Sequence, residues 1–307
     1  MNRFSPVLRL LTPYLLIAPT LFFVTLFTTV PTLQAIRSSL YRPPLTVRQT
    51  EQFVGLQNYS DLFFMENSSR PDISSTFPKV LTNTLVFAVA VVVVSVPLAF
   101  VFALLLNRKI RGLGWWRFSL FYPSLLPLIG AASIWSFFFA DSVGLLNAVI
   151  QSLGGTPIKW IGLPNLTLTS VIIVIIWKQA GYFMLFYLAG LQNIPQDFYE
   201  SARLDGATEL QIMRHITIPL LQRTTLFIMV IGFTYGFQMV EQLQALGQGG
   251  PNDTSNLILY FIFQKFAEPR NWGYINAMTV ILLALLMVFT VTNFYFFEWR
   301  RIRNGDT

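Results

Sequence analysis

Six stretches of this chain are apolar for long enough to cross a lipid bilayer, and they limit the possible folds more than any other feature. A spanning helix needs about 20 predominantly apolar residues. Runs of that kind lie at about 10–32, 80–106, 118–140, 166–191, 219–240 and 275–297. Backbone groups inside a bilayer find no water, so a run of this length must pair its own amides and carbonyls, which a helix does. The expected class is an all-α polytopic membrane protein, one membrane domain over residues 1–307 with six transmembrane helices. Composition agrees: 54% of residues are hydrophobic and 11% charged, with a mean hydropathy of +0.56, too apolar for a soluble domain of this length. Pro13, Pro19, Pro97, Pro123 and Pro127 fall inside the runs, where proline is tolerated if neighbours satisfy the freed carbonyls and where kinks are expected. Arg3 and Arg9 precede the first run, which is long and has no small-residue cleavage site after it, so it reads as an uncleaved anchor.

Charge orients the spans. With the N-terminus inside, the inner segments hold Arg3, Arg9, Arg108, Lys109, Arg111, Arg117, Arg203, Arg214, Arg223, Arg300, Arg301 and Arg303. The outer ones hold Arg37, Arg42, Arg48, Arg70, Lys79, Lys159, Lys265 and Arg270. The bias is sharpest in the short loop 107–117 and the tail 298–303, where the positive-inside rule is strongest, so both termini are expected in the cytoplasm. A pI near 9.8 therefore reflects the membrane topology, and no nucleic-acid partner is expected. The chain has no cysteine and one histidine, His215, in a polar loop. That leaves no thiolate, no set of zinc ligands and no expected cofactor or metal.

The longest polar interval with a helical pattern of its own runs over residues 195–219. Asp197 and Glu200 have the spacing of a capping box that opens a helix, Asp205-Gly206 supplies a turn, and Thr208 with Gln211 offers a second box. Phe198, Ala202 and Leu204 on the first helix, with Leu210 and Ile212 on the second, set apolar positions among charges, as in a piece that docks on another surface. Pro219 closes the interval.

Glu200-Ser201-Ala202, then Gly206, then nine residues, then Ile216-Thr217-Ile218-Pro219 resembles the EAA signature of permease subunits in binding-protein-dependent ABC importers. Serine at 201 and isoleucine at 218 depart from it, and the spacing is kept. The resemblance implies a type I importer permease whose cytoplasmic helix-turn-helix coupling loop seats in a groove on an ATPase. It assigns Glu200, Ser201, Ala202, Asp205, Gly206, Ile216 and Pro219 to that contact.

Further fragments extend the likeness. Phe53-Val54-Gly55-Leu56-Gln57-Asn58-Tyr59, Leu104-Leu105-Leu106-Asn107-Arg108-Lys109, Gly144-Leu145-Leu146-Asn147, Trp177-Lys178, and Gly249-Gly250-Pro251 with Thr254 are similar, in order and spacing, to the carbohydrate-uptake branch of these permeases. That branch implies a second permease in a heterodimer, two copies of an ATP-binding subunit, an external solute-binding protein and a carbohydrate cargo, in a bacterial or archaeal inner membrane. Glycerol phosphate or another polyol is the alternative cargo. Gly249-Gly250-Pro251 reads as a tight turn in an outer loop, or as a point of contact with the binding protein.

Lys178 lies about 12 residues from either end of the fourth run, so about 18 Å deep. A lysine at that depth costs roughly 3 kcal/mol and should face protein or water. Gly181, Tyr182 and Leu185 share its face and Gln179 is adjacent, while Thr234, Gln238 and Glu241 form a polar stripe on the fifth helix. Glu241, near the external surface, is not expected to pair with Lys178. Lys178, Tyr182, Thr234, Gln238 and Glu241 either line a translocation path, offering hydrogen bonds and an aromatic face to a sugar, or fasten helices together. Trp115-Trp116, Trp135 with residues 137–139, and residues 294–297 with Trp299 fall at span ends, as interfacial belts do.

No G-x-x-x-x-G-K-[ST] occurs, so ATP hydrolysis is assigned to another chain and this one is not expected to be an enzyme. An ion-coupled secondary transporter would call for an acidic residue at mid-membrane and often an internal repeat. An intramembrane enzyme would call for a catalytic dyad or metal ligands at depth. The sequence has none of these.

Overall fold

The computed structural model describes residues 6–43, 50–64, 71–108, 111–141, 143–267 and 271–303, with side chains described from residue 12 to 295 of these. The charges counted at Arg3, Arg48, Arg70, Lys109 and Arg270 lie outside the described residues, as do the side chains of Arg9, Phe296, Phe297, Trp299, Arg300, Arg301 and Arg303.

In chain order the elements are α1 (Pro6–Val24), a π turn (Thr25–Thr29), α2 (Val30–Ser38), β1 (Tyr41–Arg42), β2 (Gln52–Phe53), α3 (Gln57–Phe63), α4 (Pro71–Leu106), α5 (Leu113–Leu125), α6 (Leu128–Phe138), α7 (Leu145–Ser152) and α8 (Pro164–Gln192). There follow α9 (Gln196–Leu204), α10 (Glu209–Ile212), a π turn (Met213–Thr217), α11 (Ile218–Leu220), α12 (Gln222–Gln238), two 3-10 turns (Glu241–Gln244 and Gly247–Gly249), α13 (Ile258–Lys265) and α14 (Trp272–Arg303). Among the described residues five helices are long and apolar enough to cross a membrane, or six if α5 and α6 count as one bent span. The chain divides into two compact units, Met1–Ser74 with Ile262–Leu283, and Ser75–Phe261 with Ala284–Thr307.

In the first unit the apolar rod through α1 and α2 buries none of its hydrophobic window within the chain. Beyond it, β1 and β2 pair antiparallel, Tyr41 opposite Phe53. Buried Asn58 fixes this hairpin by donating to the carbonyls of Ser39 at 2.7 Å and Tyr41 at 3.0 Å. Asp61, also buried, accepts from Arg42 Nη2 at 2.7 Å and from the Tyr274 hydroxyl at 2.9 Å. The Phe53 to Tyr59 string is thus folded around buried Asn58, while Gln57 stays exposed.

In the second unit α8 is the central helix. Its buried face, including Val171, Val174, Ile175 and Phe183, packs against α5, α6 and α12. Phe87 and Val91 of α4, Ala132 of α6 and Leu243 of the 3-10 turn complete this core. Gly181 permits the closest approach, since a Cβ there would stand 1.8 Å from the Leu120 carbonyl oxygen of α5.

Several sequence expectations change. The stretch 118–140, expected as a single span, is two helices whose axes turn by 102°. Pro127 has no amide to give the Pro123 carbonyl and biases Leu126 before it toward extended backbone, and Leu126 has ψ 139°. Pro13, Pro19 and Pro97, by contrast, sit inside continuous helices. The second helix begins at Pro71, nine residues ahead of the apolar run, because polar turns extend the helix beyond the hydrophobic segment. The helix α12 stops at Gln238 and Met239 is extended, so Glu241 belongs to a separate 3-10 turn and the polar stripe does not continue onto it. Among the aromatics, Trp115 is 70% exposed, as expected of a belt, but Phe139 is 1% exposed and packs against Trp135 and Trp160 in the core.

Candidate functional site

Two places concentrate the residues singled out above. The first is the segment 195–219. Its opening differs from expectation: Pro195 is the N-cap residue, no side chain caps the helix, and Asp197 lies in the first turn of α9, so there is no Asp197–Glu200 box. Proline, with φ fixed near the helical value and no amide to satisfy, suits the helix start. The Asp197 charge still complements the N-terminal amides.

The end of α9 follows the sequence closely. Gly206 takes φ +78°, its amide donates to the Arg203 carbonyl at 3.1 Å, and the Ala207 amide reaches back to Ala202 at 2.9 Å. These are the two hydrogen bonds of a Schellman turn, which needs a residue at ease with positive φ. Thr208 and Gln211 then form the expected capping box. The Thr208 amide donates to Gln211 Oε1 at 2.8 Å and the Gln211 amide to Thr208 Oγ1 at 3.4 Å. An exposed ion pair, Arg203 to Glu209 at 3.1 Å, closes the corner.

What the corner displays is apolar. Leu204 is 88% exposed and Leu210 72%, with Phe198 half uncovered. Glu200, Ser201, Asp205, Gly206 and Pro219 are exposed, while Ala202 and Ile216 are half-buried. Ile212 turns inward and is buried, and Tyr199 meets buried Thr217 at 3.4 Å. Between this corner and the end of α4 lies a cleft of about 610 Å³, bordered by Asn107, Arg108, Gln192, Tyr199, Glu200 and Arg203.

The second place is the middle of α8. The Lys178 side chain is 7% exposed. Its ammonium donates to the carbonyls of Pro123 at 3.1 Å, Ser124 at 3.0 Å and Leu126, all at the break between α5 and α6. Tyr182 is half-buried, with its ring 6.5 Å from that of Tyr235 on α12. Thr234 returns its hydroxyl to the Val230 carbonyl of its own helix. Gln238, the last residue of α12, and Glu241 are exposed. Tyr182 and Thr234 thus lie on facing helices, α8 and α12, while Lys178 is directed to α5.

Three polar residues have work that the sequence did not assign to them: Gln179 and Asn147, named above without a role, and Asn83, passed over. Gln179 is buried and donates to Met239 Sδ at 3.3 Å. Asn83 donates to the carbonyls of Asp253 and Asn256, holding the segment after Gly249-Gly250-Pro251 to α4. Asn147 closes the loop between α6 and α8. The signal in the sequence was a lone amide, near the start of an apolar run for Asn83 and in the middle of one for Gln179.

Apolar helices of spanning length, a broken span and an exposed helix-turn-helix define a polytopic helical membrane protein. The chain belongs to the family of binding-protein-dependent transport system inner membrane components, whose model matches residues 73–302. It is 30% identical over 288 residues to the trehalose/maltose transport system permease protein MalF of Thermococcus litoralis, with 94% of each chain covered. It is also 30% identical to the sn-glycerol-3-phosphate transport system permease protein UgpA of Agrobacterium fabrum, over 95% of this chain and 96% of that one. Its fold is similar to that of a chain in the crystal structure of a bacterial ABC transporter involved in the import of the acidic polysaccharide alginate, with a TM-score of 0.79, 20% identity, and 96% and 98% of the two chains covered. A chain in the crystal structure of a bacterial alginate ABC transporter in complex with an alginate pentasaccharide-bound periplasmic protein gives a TM-score of 0.79 at 20% identity over 95% and 96% of the two chains. The ion-coupled carrier and the intramembrane enzyme weighed above fall with this membership.

Proposed function

We propose that the chain is one of two permeases in an ATP-driven importer that takes up a carbohydrate presented by an external solute-binding protein. Two copies of a separate ATPase drive it from the cytoplasm, where both termini and the 195–219 segment lie. The observation that carries this reading is the corner at Gly206, where a Schellman turn and a capping box hold Phe198, Leu204 and Leu210 out into solvent. Ordered backbone under exposed apolar side chains suits a rigid knob that fits a groove on a partner. In this reading Glu200, Ser201, Ala202, Asp205 and Gly206 form the knob, and Ile216 and Pro219 join it to α12.

Tyr182 with Thr234 and Gln238 lines the path, offering an aromatic face and hydrogen-bonding groups, and Glu241 stands at its external mouth. A carbohydrate cargo is supported by the 30% likeness to a trehalose/maltose permease. Glycerol phosphate is the second reading, since the UgpA relative is equally similar.

Tagging the chain, extracting it from native membranes in mild detergent and identifying its companions tests the assembly. A P-loop ATPase and a second permease should copurify. A chain recovered alone, and active after reconstitution without ATP, would reject the proposal.

A further inference from the structure

The sequence left Lys178 open between a residue that touches the transported solute and one that fastens helices. Its geometry selects the second and makes it specific. The break after Leu125 strips carbonyls of their usual i+4 amides: Pro127 offers none to Pro123, whose carbonyl takes only the Leu126 amide at 3.3 Å, and Ser124 and Leu126 stand at the end of α5, where the last carbonyls of any helix lack intrahelical partners. Lys178 carries three N–H donors, and the structure uses each on one of these three carbonyls. A cation at a helix C-terminus also meets the negative end of the helix dipole. With three protons committed and the side chain 7% exposed, the ammonium has no donor left for a solute.

The next residue does a related job. Gln179 Nε2 reaches Met239 Sδ at 3.3 Å, at the second break, where α12 stops and the Glu241–Gln244 turn begins. The two interruptions are neighbours, since α6 packs against that turn. Adjacent side chains at the midpoint of α8 therefore hold both broken helices.

We propose that Lys178 is a positioning residue: it fixes the 102° bend between α5 and α6 as a cationic cap on three carbonyls at the break, with Gln179 steadying the facing break, so that α8 carries the two interrupted helices as one body. This is independent of the cargo and of the partner subunits.

The chain has no cysteine, so spin labels can be placed at will. Ser119 on α5 and Ser133 on α6 are exposed, and the distance between labels there reads the bend in the chain held in nanodiscs with whatever subunits copurify. The original chain should give one narrow distribution. Lys178→Met should broaden it or shift it by several ångströms, and Lys178→Arg, which keeps a charged multiple donor, should restore most of the narrow peak. An unchanged distribution in Lys178→Met would overturn the proposal, because the prolines alone would then hold the bend. Should Lys178→Met fail to accumulate, Pro127→Ala decides. With Lys178 still bound to the carbonyls the short distance should persist, and a longer distance from a straightened pair would overturn the role given to the lysine.

Discussion

Asn147 and Trp160 meet side chain to side chain, the indole Nε1 donating to the amide oxygen at 3.2 Å. The same oxygen accepts the Ile158 amide at 3.0 Å, and the Asn147 Nδ2 donates to the carbonyls of Asp141 at 3.0 Å and Ile158 at 2.9 Å. One buried amide thus satisfies both sides of the loop between α6 and α8. Asn147→Leu, similar in volume, would strand several buried groups at about 1–3 kcal/mol each. A total loss of about 3 kcal/mol or more is expected, read as a lower thermal unfolding midpoint in detergent. A shift too small to measure would show that water replaces the side chain there.

Gly181 and Gly114 make a matched pair. A Cβ at 181 would lie 1.8 Å from the Leu120 oxygen and 2.7 Å from its carbon, both backbone atoms, whereas one at 114 would meet nothing within 4 Å. Gly181→Ala must push α5 and α8 apart, at a cost of about 2–4 kcal/mol. Gly114→Ala should be neutral or stabilising by up to about 1 kcal/mol, since alanine is the better helix former. Equal unfolding midpoints for the two variants would refute the close contact.

What the sequence reveals follows from the range of the interaction concerned. The apolar runs are visible because burial in lipid acts on each residue, and the Thr208–Gln211 box and the Gly206 turn because their partners lie within a few positions. The break at 125–128 is a different case. Pro13, Pro19 and Pro97 sit in unbroken helix while Pro127 does not, and what separates them includes a lysine 52 residues away from Leu126. The Asp197–Glu200 box failed for a local reason, since Pro195 two positions earlier is the better helix start. Asn83 and its carbonyl partner on Asp253 are 170 positions apart, and no short-range pattern announces such a bond. Of the candidate path, the facing pair Tyr182 and Tyr235 required knowledge of which helices are neighbours.

Leu204 offers a test of the exposed corner. Its side chain is 88% uncovered, so Leu204→Ser should change the stability of the chain by no more than about 0.5 kcal/mol. If the corner is a docking knob, the same change removes a central apolar contact worth about 1–2 kcal/mol, and the amount of copurifying ATPase should fall about tenfold. Wild-type recovery of the ATPase with Leu204→Ser would move the contact away from this corner.

Thr208→Ala acts differently on the same segment. It removes the side-chain half of the capping box and should cost about 1 kcal/mol of local helix order. Because α10 is exposed apart from Ile212, the loss should appear as faster amide hydrogen exchange over residues 209–213, with the global unfolding midpoint nearly unchanged. Uniformly faster exchange across the second unit would mean that the box supports the whole bundle.

The last prediction concerns Asp61. Its Oδ2 accepts from both Arg42 and Tyr274, and its Oδ1 has no partner among the described residues. The carboxylate is buried, and the Arg42 side chain is 30% exposed, so solvent screens the ion pair from one side. Tyr274→Phe removes one charge-assisted bond while Arg42 still balances the carboxylate, and about 1–2 kcal/mol should be lost. Arg42→Met leaves the buried charge facing one hydroxyl, which should cost more than the tyrosine change. The two effects should not add, because both donors share one oxygen and each constrains the other. A double-mutant cycle on thermal unfolding reads this directly: a coupling near zero would mean that the knot joining the hairpin to the start of α14 consists of independent contacts rather than one network centred on Asp61.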